Sequence, residues 1–252
     1  MRLGRSVFNL PVAPEFDPAR WAEAAFDVWQ GSGLSAHEIS RAAERRTQAL
    51  IAYARAASPY YARRYRKLPA DAALTDLPPV TKSDLMDNFD EVVTRPELTR
   101  RDVEAFVAGP DRIGRTMAGR YSVWTSSGTT GEPGLFVRDP DALAIYDALE
   151  GQRFRGLRSP TDLLRQLIEG DRYAMVAATD GHFAGVATVE RMRHWAPWMA
   201  NSVRAFALLQ PCAQLVEQLN AYRPTIVATY PTAAEMLAEE QEAGRLRVRP
   251  RE

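Results

Sequence analysis

Cysteine, lysine and long apolar runs are scarce in this chain of 252 residues. Its single cysteine, Cys212, excludes an internal disulfide and fits a reducing compartment. No apolar stretch is long enough to span a bilayer, and the first residues do not lead into the apolar run of a secretory signal. We therefore expect a soluble, cytoplasmic protein that has no membrane partner.

An excess of charge of either sign is also missing. Lys and Arg together number 32, as do Asp and Glu, so the formal net charge is zero. This balance gives no general attraction to nucleic acid or to an anionic membrane. No group of His, Cys, Asp and Glu has the spacing of metal ligands, so we expect no metal held by protein ligands alone.

One segment is unusually rich in glycine and hydroxyl side chains. From Ser126 to Gly134 there are four Ser or Thr residues and three glycines, and apolar residues on both sides predict two short strands joined by this loop. Glycine lets a ligand approach the main chain, and successive N–H groups with nearby hydroxyls form a cradle for anions. The segment, here called the glycine-rich loop, therefore predicts a polyphosphate site. The alternative is a flexible polar hairpin loop, but such loops are usually shorter.

Two common nucleotide-binding patterns do not fit the glycine-rich loop. A Walker A motif requires Gly-Lys-Ser/Thr after four intervening residues, and no lysine follows these glycines. The Gly-x-Gly-x-x-Gly spacing of a dinucleotide-binding fold is absent as well.

The rest of the chain predicts an α/β protein in two regions. Residues 1–119 are mainly helical, with helix starts at Asp17-Pro18, at Ser35 or Ser40, and at Thr81 and Thr99, whereas residues 120–252 alternate strands and helices. Strands are predicted at Tyr121, after Gly134, and over 173–179, 203–209 and 225–230, with helices from Pro140, Pro211 and Thr232. This alternation predicts a mostly parallel sheet flanked by helices.

Ligands of such sheets bind at the carboxyl ends of the strands. Two predicted strand ends carry candidate residues for substrate binding: His182 and Phe183 after one strand, and Tyr230, Pro231 and Thr232 after another. His182 either donates to an anion or only makes a hydrogen bond within a turn. The Tyr230–Thr232 segment either lines a substrate pocket or is a plain strand-to-helix turn capped by Thr232.

The glycine-rich loop resembles the phosphate-binding loop of the adenylate-forming superfamily, the acyl-CoA synthetases and their relatives. Residues Ser126 to Pro133 match that signature except at Glu132, where lysine is frequent. The Ser58-Pro59-Tyr60-Tyr61 corner, the turn from Leu77 to Leu85 and the segment from Ala228 to Leu237 are similar to the phenylacetate–CoA ligase and coenzyme F390 synthetase branch. The likeness covers roughly residues 35–245, although only the loop is diagnostic alone.

The resemblance implies ATP-dependent adenylation of a small carboxylic acid, with coenzyme A as a possible thiol acceptor. ATP would be held by Ser126, Ser127, Gly128, Thr129, Thr130 and Gly131, and Mg²⁺ would bind through the phosphates. Two alternatives stay open: adenylation of a hydroxyl group, and a nucleotide-binding module without catalysis. The substrate and the oligomeric state are also open, a homodimer being one alternative.

Members of the family continue with an aromatic–Gly–x–Thr–Glu motif, an aspartate for the ribose and a catalytic lysine in a mobile domain. None of these follows Leu237 here, and the only lysines, Lys67 and Lys82, precede the loop. The resemblance therefore implies the N-terminal part of an adenylation domain, and we expect no turnover by these 252 residues alone.

Overall fold

The computed structural model describes residues 17–126, 133–156 and 170–251, without the side chains of 153–156. Its first part, up to residue 107, is mainly helical: α1 (Pro18–Gly31), α2 (Ala36–Ala57), α3 (Pro59–Arg64), α4 (Lys82–Asp87), α5 (Phe89–Val92) and α6 (Arg100–Val107). The predicted helix starts are confirmed, and of the two candidate caps for α2, Ser35 and Ser40, the structure has Ser35. Asp17 accepts from the backbone N–H of Ala19, and Ser35 and Glu38 form a reciprocal capping box.

An antiparallel sheet follows, formed by β1 (Thr116–Met117), β2 (Tyr121–Thr125) and β3 (Leu135–Arg138) in that order. The predicted pair of strands around the glycine-rich loop is confirmed, with Thr125 opposite Leu135. The short strand β1 lies within residues 1–119, for which the sequence predicted mainly helices and no strand. One face of this sheet is buried against α4, α5 and α6.

The next helix, α7 (Pro140–Gly156), begins as predicted, because the side chain of Asp139 accepts from the N–H of Ala142 at 2.9 Å. Helix α1 packs along α7, which joins the start of the described chain to its middle.

A parallel sheet and its helices complete the fold: β4 (Tyr173–Ala177), α8 (Ala184–Trp195), β5 (Val203–Ala207), α9 (Cys212–Tyr222), β6 (Ile226–Thr229) and α10 (Pro231–Glu242). The strand order is β5-β4-β6. The α/β class is therefore confirmed. The expected mostly parallel sheet is instead two three-stranded sheets, because short connections give antiparallel pairs and only helical crossovers give parallel ones.

Helices cover both faces of the parallel sheet. Ala174 and Val176 of β4 pack in a buried cluster with Leu215 and Leu219 of α9. Met175, which points to the other face, contacts α8 so closely that a Cβ on Gly185 would lie 3.0 Å from its Cε atom. Among the helices that the structure describes, none has the length and apolar character needed to cross a bilayer.

Candidate functional site

The described part of the glycine-rich loop is its neck, where the two strands of the hairpin meet. The N–H of Ser126 donates to the carbonyl of Gly134 at 3.0 Å, and the N–H of Gly134 donates to Oγ of Ser126 at 2.8 Å. These reciprocal bonds hold the two ends of the loop together. Residues 127–132, which carry the predicted phosphate contacts of Ser127, Gly128, Thr129, Thr130 and Gly131, lie outside the described residues.

The neck is bonded to the segment that follows β4. The N–H of Thr125 donates to the carbonyl of His182 at 2.8 Å, and Thr125 forms a parallel bridge with Phe183. Because β4 ends at Ala177, this contact sets the neck near the carboxyl edge of the parallel sheet. The two sheets therefore meet at the position where α/β proteins commonly bind ligands.

The strand order adds a second feature to this edge. The chain passes from β4 to β5 on one side and then crosses to β6 on the other, with α8 and α9 on opposite faces. Where the connections from neighbouring strands leave in opposite directions, a crevice forms between them at the carboxyl ends of the strands. The segments after β4 and β6 border that crevice, and Oγ1 of Thr229 donates to the carbonyl of Val176 at 2.7 Å, fixing the two strand ends.

The predicted residues after β6 are open to solvent. Tyr230 is 47% exposed, and Pro231 and Thr232 are also exposed. The helix begins at Pro231, so Tyr230 occupies the cap position without a side-chain bond, and the alternative in which Thr232 caps the helix is wrong. Thr232 instead lies in the first turn, where its hydroxyl is available at the edge of the sheet.

His182 is enclosed, with 2% of its surface exposed. Its Nε2 atom lies 3.4 Å from the carbonyl oxygen of Gly109, and the ring of Phe106 is centred 5.5 Å away. Burial lowers the pKa of His182, while hydrogen bonding to the backbone of Gly109 and Val123 acts in the opposite direction. As placed, the imidazole is neutral near pH 7 and joins the β2 region to the end of α6. Its role in substrate binding stays a prediction.

Phe183 forms the start of α8 and is half-buried. Its ring lies over the preceding turn, where a Cβ on Gly181 would be 3.1 Å from the ring carbons. Phe183 thus contributes an apolar surface between the loop neck and the sheet edge.

Sequence reasoning missed helix α8 and the buried ion pair that it carries. Arg191 is 2% exposed, and its guanidinium donates to Oδ1 of Asp147 on α7 at 2.5 Å. Burial raises the pKa of Asp147, and the charge of Arg191 opposes that shift. Apolar residues at 183, 186 and 187 have helical spacing, but the next positions of that face, 190 and 191, are Glu and Arg, and these charged residues hid the signal.

A cavity of about 460 Å³ opens on the β5 side of the same edge. Its walls include Thr179 after β4, Gln210 after β5, and His194 on α8. The amides of Gln210 and Gln218 bond each other reciprocally at 3.1 Å, so this wall is held rigidly. Within the described ranges no three His, Cys, Asp or Glu side chains are grouped as metal ligands would be.

Comparison with known proteins identifies no family. A scan against models of protein families finds no match, and a search of curated proteins also finds none. The loop sequence and the geometry around its neck are therefore the indications of function in this chain.

Proposed function

We propose that this chain binds the polyphosphate of ATP through residues 126–131 and takes part in the adenylation of a carboxylic acid. The observation that carries the proposal is the hydroxyl- and glycine-rich sequence between Ser126 and Gly134, whose neck is bonded to the segment after β4. Backbone N–H groups and hydroxyls are the donors that a polyphosphate requires, and the carboxyl edge of a parallel sheet, which lies beside the neck, is where α/β proteins commonly bind ligands.

The proposed reaction needs positioning more than covalent participation by the protein. A carboxylate oxygen of the substrate attacks the α-phosphorus, a C–O–P linkage forms, and the bond to pyrophosphate breaks. The N–H groups of Gly128 to Gly131 would neutralise charge on the leaving pyrophosphate, assisted by Mg²⁺ bound through phosphate oxygens. A thiol such as coenzyme A would then displace AMP. Phe183 and Tyr230 are the proposed apolar walls for the acyl group.

The first test is binding of Mg-ATP, measured by isothermal titration calorimetry. Replacing both Thr129 and Thr130 by valine removes two hydroxyls at nearly constant volume and should weaken binding about tenfold or more, since hydrogen bonds to charged groups contribute roughly 1.5–3 kcal/mol each. The matched control is Ser83→Ala, which removes an exposed hydroxyl on α4 that bonds Asp87. Equal weakening in both proteins would contradict the proposal.

A change of charge in the loop gives an independent test. Glu132 stands where family members often have lysine; we expect its side chain to point to solvent, from where its carboxylate repels bound phosphate through water. Glu132→Gln should tighten Mg-ATP binding by roughly threefold to fivefold at low salt, because one unit charge at about 4 Å in water is worth about 1 kcal/mol. High salt should remove most of the gain. An unchanged affinity at low salt would place Glu132 away from the nucleotide.

Exchange of labelled pyrophosphate into ATP, with a pool of carboxylic acids, separates catalysis from binding. The resemblance predicts binding without exchange for residues 1–252, because the family's catalytic lysine is not among them. Exchange by this chain alone would overturn that expectation. An exchange that requires a hydroxyl substrate in place of an acid would favour the F390 synthetase alternative.

A further inference from the structure

A second cavity lies at the opposite end of the parallel sheet from the glycine-rich loop. It has a volume of about 530 Å³, and four arginines contribute to its wall: Arg172, Arg223, Arg247 and Arg249. We call it the arginine pocket. Arg172 directly precedes β4, so the pocket is at the amino end of a strand whose carboxyl end leads to the loop neck. The five residues of β4 separate the two places by about 15 Å.

The backbone around the pocket is fixed by a set of cross-links. The N–H of Arg172 donates to Oγ1 of Thr225 at 3.0 Å, and Nε of Arg172 donates to the carbonyl of Arg223 at 2.8 Å. The side-chain oxygen of Asn220 accepts from the N–H of Arg247 at 2.7 Å. The arginine Cα atoms are therefore held in place by the sheet and by α9, so the pocket is not a chance meeting of mobile termini.

The guanidinium groups of the pocket are mostly uncommitted. Within the described residues, the side chains of Arg223, Arg247 and Arg249 have no hydrogen-bond or ion-pair partner, and no Asp or Glu lines the cavity. Asp171, the nearest acid in sequence, accepts a hydrogen bond from the wall residue Thr225 and pairs with Arg251 at 3.9 Å. The carboxyl-terminal dipole of α9 attracts one cation, but it does not account for four that repel one another.

Arg223 has an unusual backbone conformation. It ends α9 with φ 54° and ψ 61°, in the left-handed region that favours glycine. An arginine at this position has a steric cost that glycine would not have, and its side chain lines the cavity. Non-glycine residues in such conformations are concentrated at functional sites.

We propose that the arginine pocket binds the phosphate group of a small phosphorylated molecule, at a site separate from the glycine-rich loop. Guanidinium groups match phosphate oxygens with paired hydrogen bonds, and several of them around one concave site suit a group with two or more negative charges. A cavity of this volume accommodates a phosphorylated metabolite, and the zero net charge of the chain argues against an extended nucleic-acid surface. The proposal does not rest on the proposed adenylation.

The test is a titration with inorganic pyrophosphate at low salt, followed by the backbone amide signals of Arg223, Thr225 and Arg247 in two-dimensional NMR. These signals should shift and saturate. The double variant Arg247→Ala/Arg249→Ala should weaken the saturating response about tenfold or more. The control, Arg41→Ala/Arg45→Ala, removes the same charge from exposed positions of α2 and should leave the response unchanged. Absent shifts, or equal weakening in both variants, would overturn the proposal.

Three further measurements test whether Arg223 belongs to the site, whether the ligand is a small molecule, and whether the pocket is independent of the loop. Arg223→Gly should weaken pyrophosphate binding without lowering the melting temperature, because glycine relieves the backbone cost; unchanged binding would remove Arg223 from the site. A short single-stranded RNA that binds the pocket more tightly than pyrophosphate or ADP at the same salt would overturn the small-molecule assignment. The Thr129→Val/Thr130→Val protein should keep the pocket response, so failure at the loop and failure at the pocket are distinguishable.

Discussion

Replacing Gly114 by alanine should destabilise the protein far more than the same change at Gly119. Both glycines have positive φ, 75° and 65°, so alanine incurs about 1–2 kcal/mol of backbone strain at either position. A Cβ at Gly114 would also lie 2.5 Å from the backbone N of Arg191 on α8, whereas nothing lies within 4 Å of a Cβ at Gly119. The forced shift of α8 adds about 1–3 kcal/mol, for a total of about 2–5 kcal/mol at Gly114.

The assay is equilibrium unfolding in urea, followed by tryptophan fluorescence. Because the effect of alanine on the unfolded chain is the same in both variants, the comparison isolates the contact with α8. A difference of about 1–3 kcal/mol moves the unfolding midpoint by roughly 1 M at a typical slope. Equal midpoints for the two variants would refute the packing of the Gly109–Gly114 segment against α8, and with it the enclosure of His182.

Two other predictions concern buried polar groups. Burial lowers the pKa of His182 in the folded protein, so as the pH falls the unfolded chain binds a proton at this histidine before the folded chain does; the stability that neutral His182 confers is complete above the ordinary pKa of about 6.5 and should be lost as the pH falls below it. The urea midpoints at pH 7.5 and 5.5 should therefore differ less in His182→Asn than in the wild type. The control variant His37→Gln, at an exposed position of α2, should leave the difference unchanged. Asp147→Ala leaves the enclosed charge of Arg191 unpaired and should lower the free energy of unfolding by about 3–5 kcal/mol. Glu104→Ala, in the exposed pair with Arg100, should lower it by less than about 1 kcal/mol. Similar losses in the two variants, measured by calorimetric unfolding, would contradict the burial of Arg191.

The predictable elements of this fold are those with local signals. Ser35 with Glu38, and Asp139 with Pro140, specify helix starts through contacts three residues apart, and the structure has both. The strands around the glycine-rich loop are likewise encoded by adjacent apolar residues and a turn. Their antiparallel pairing, which the short connection between β2 and β3 explains, and the split into two sheets were not predicted.

The elements that escaped prediction depend on residues distant in sequence. Arg191 is buried because Asp147, 44 positions earlier, pairs with it, so the inner face of α8 does not read as apolar. His182 is enclosed by Gly109, 73 positions away, and no local pattern indicates that contact. The sequence therefore predicts the loop of the candidate site, whereas the positions of His182 and Arg191 beside it depend on tertiary packing.

The arginine pocket could not be predicted for the same reason. Arg172, Arg223 and Arg247 are far apart in sequence, and each looks like an ordinary surface cation in a chain rich in arginine. Only the parallel pairing of β4 with β6, and the return of the chain past α9, bring them to one cavity.

If the glycine-rich loop holds a polyphosphate, Mg-ATP binds the wild-type protein more tightly than it binds Thr129→Val/Thr130→Val. Calorimetry at low salt should give saturable binding by the wild type, weakened about tenfold or more in the variant, while both proteins unfold at similar urea concentrations. Wild-type affinity in the variant, or no binding by a folded wild-type chain, would contradict the claim.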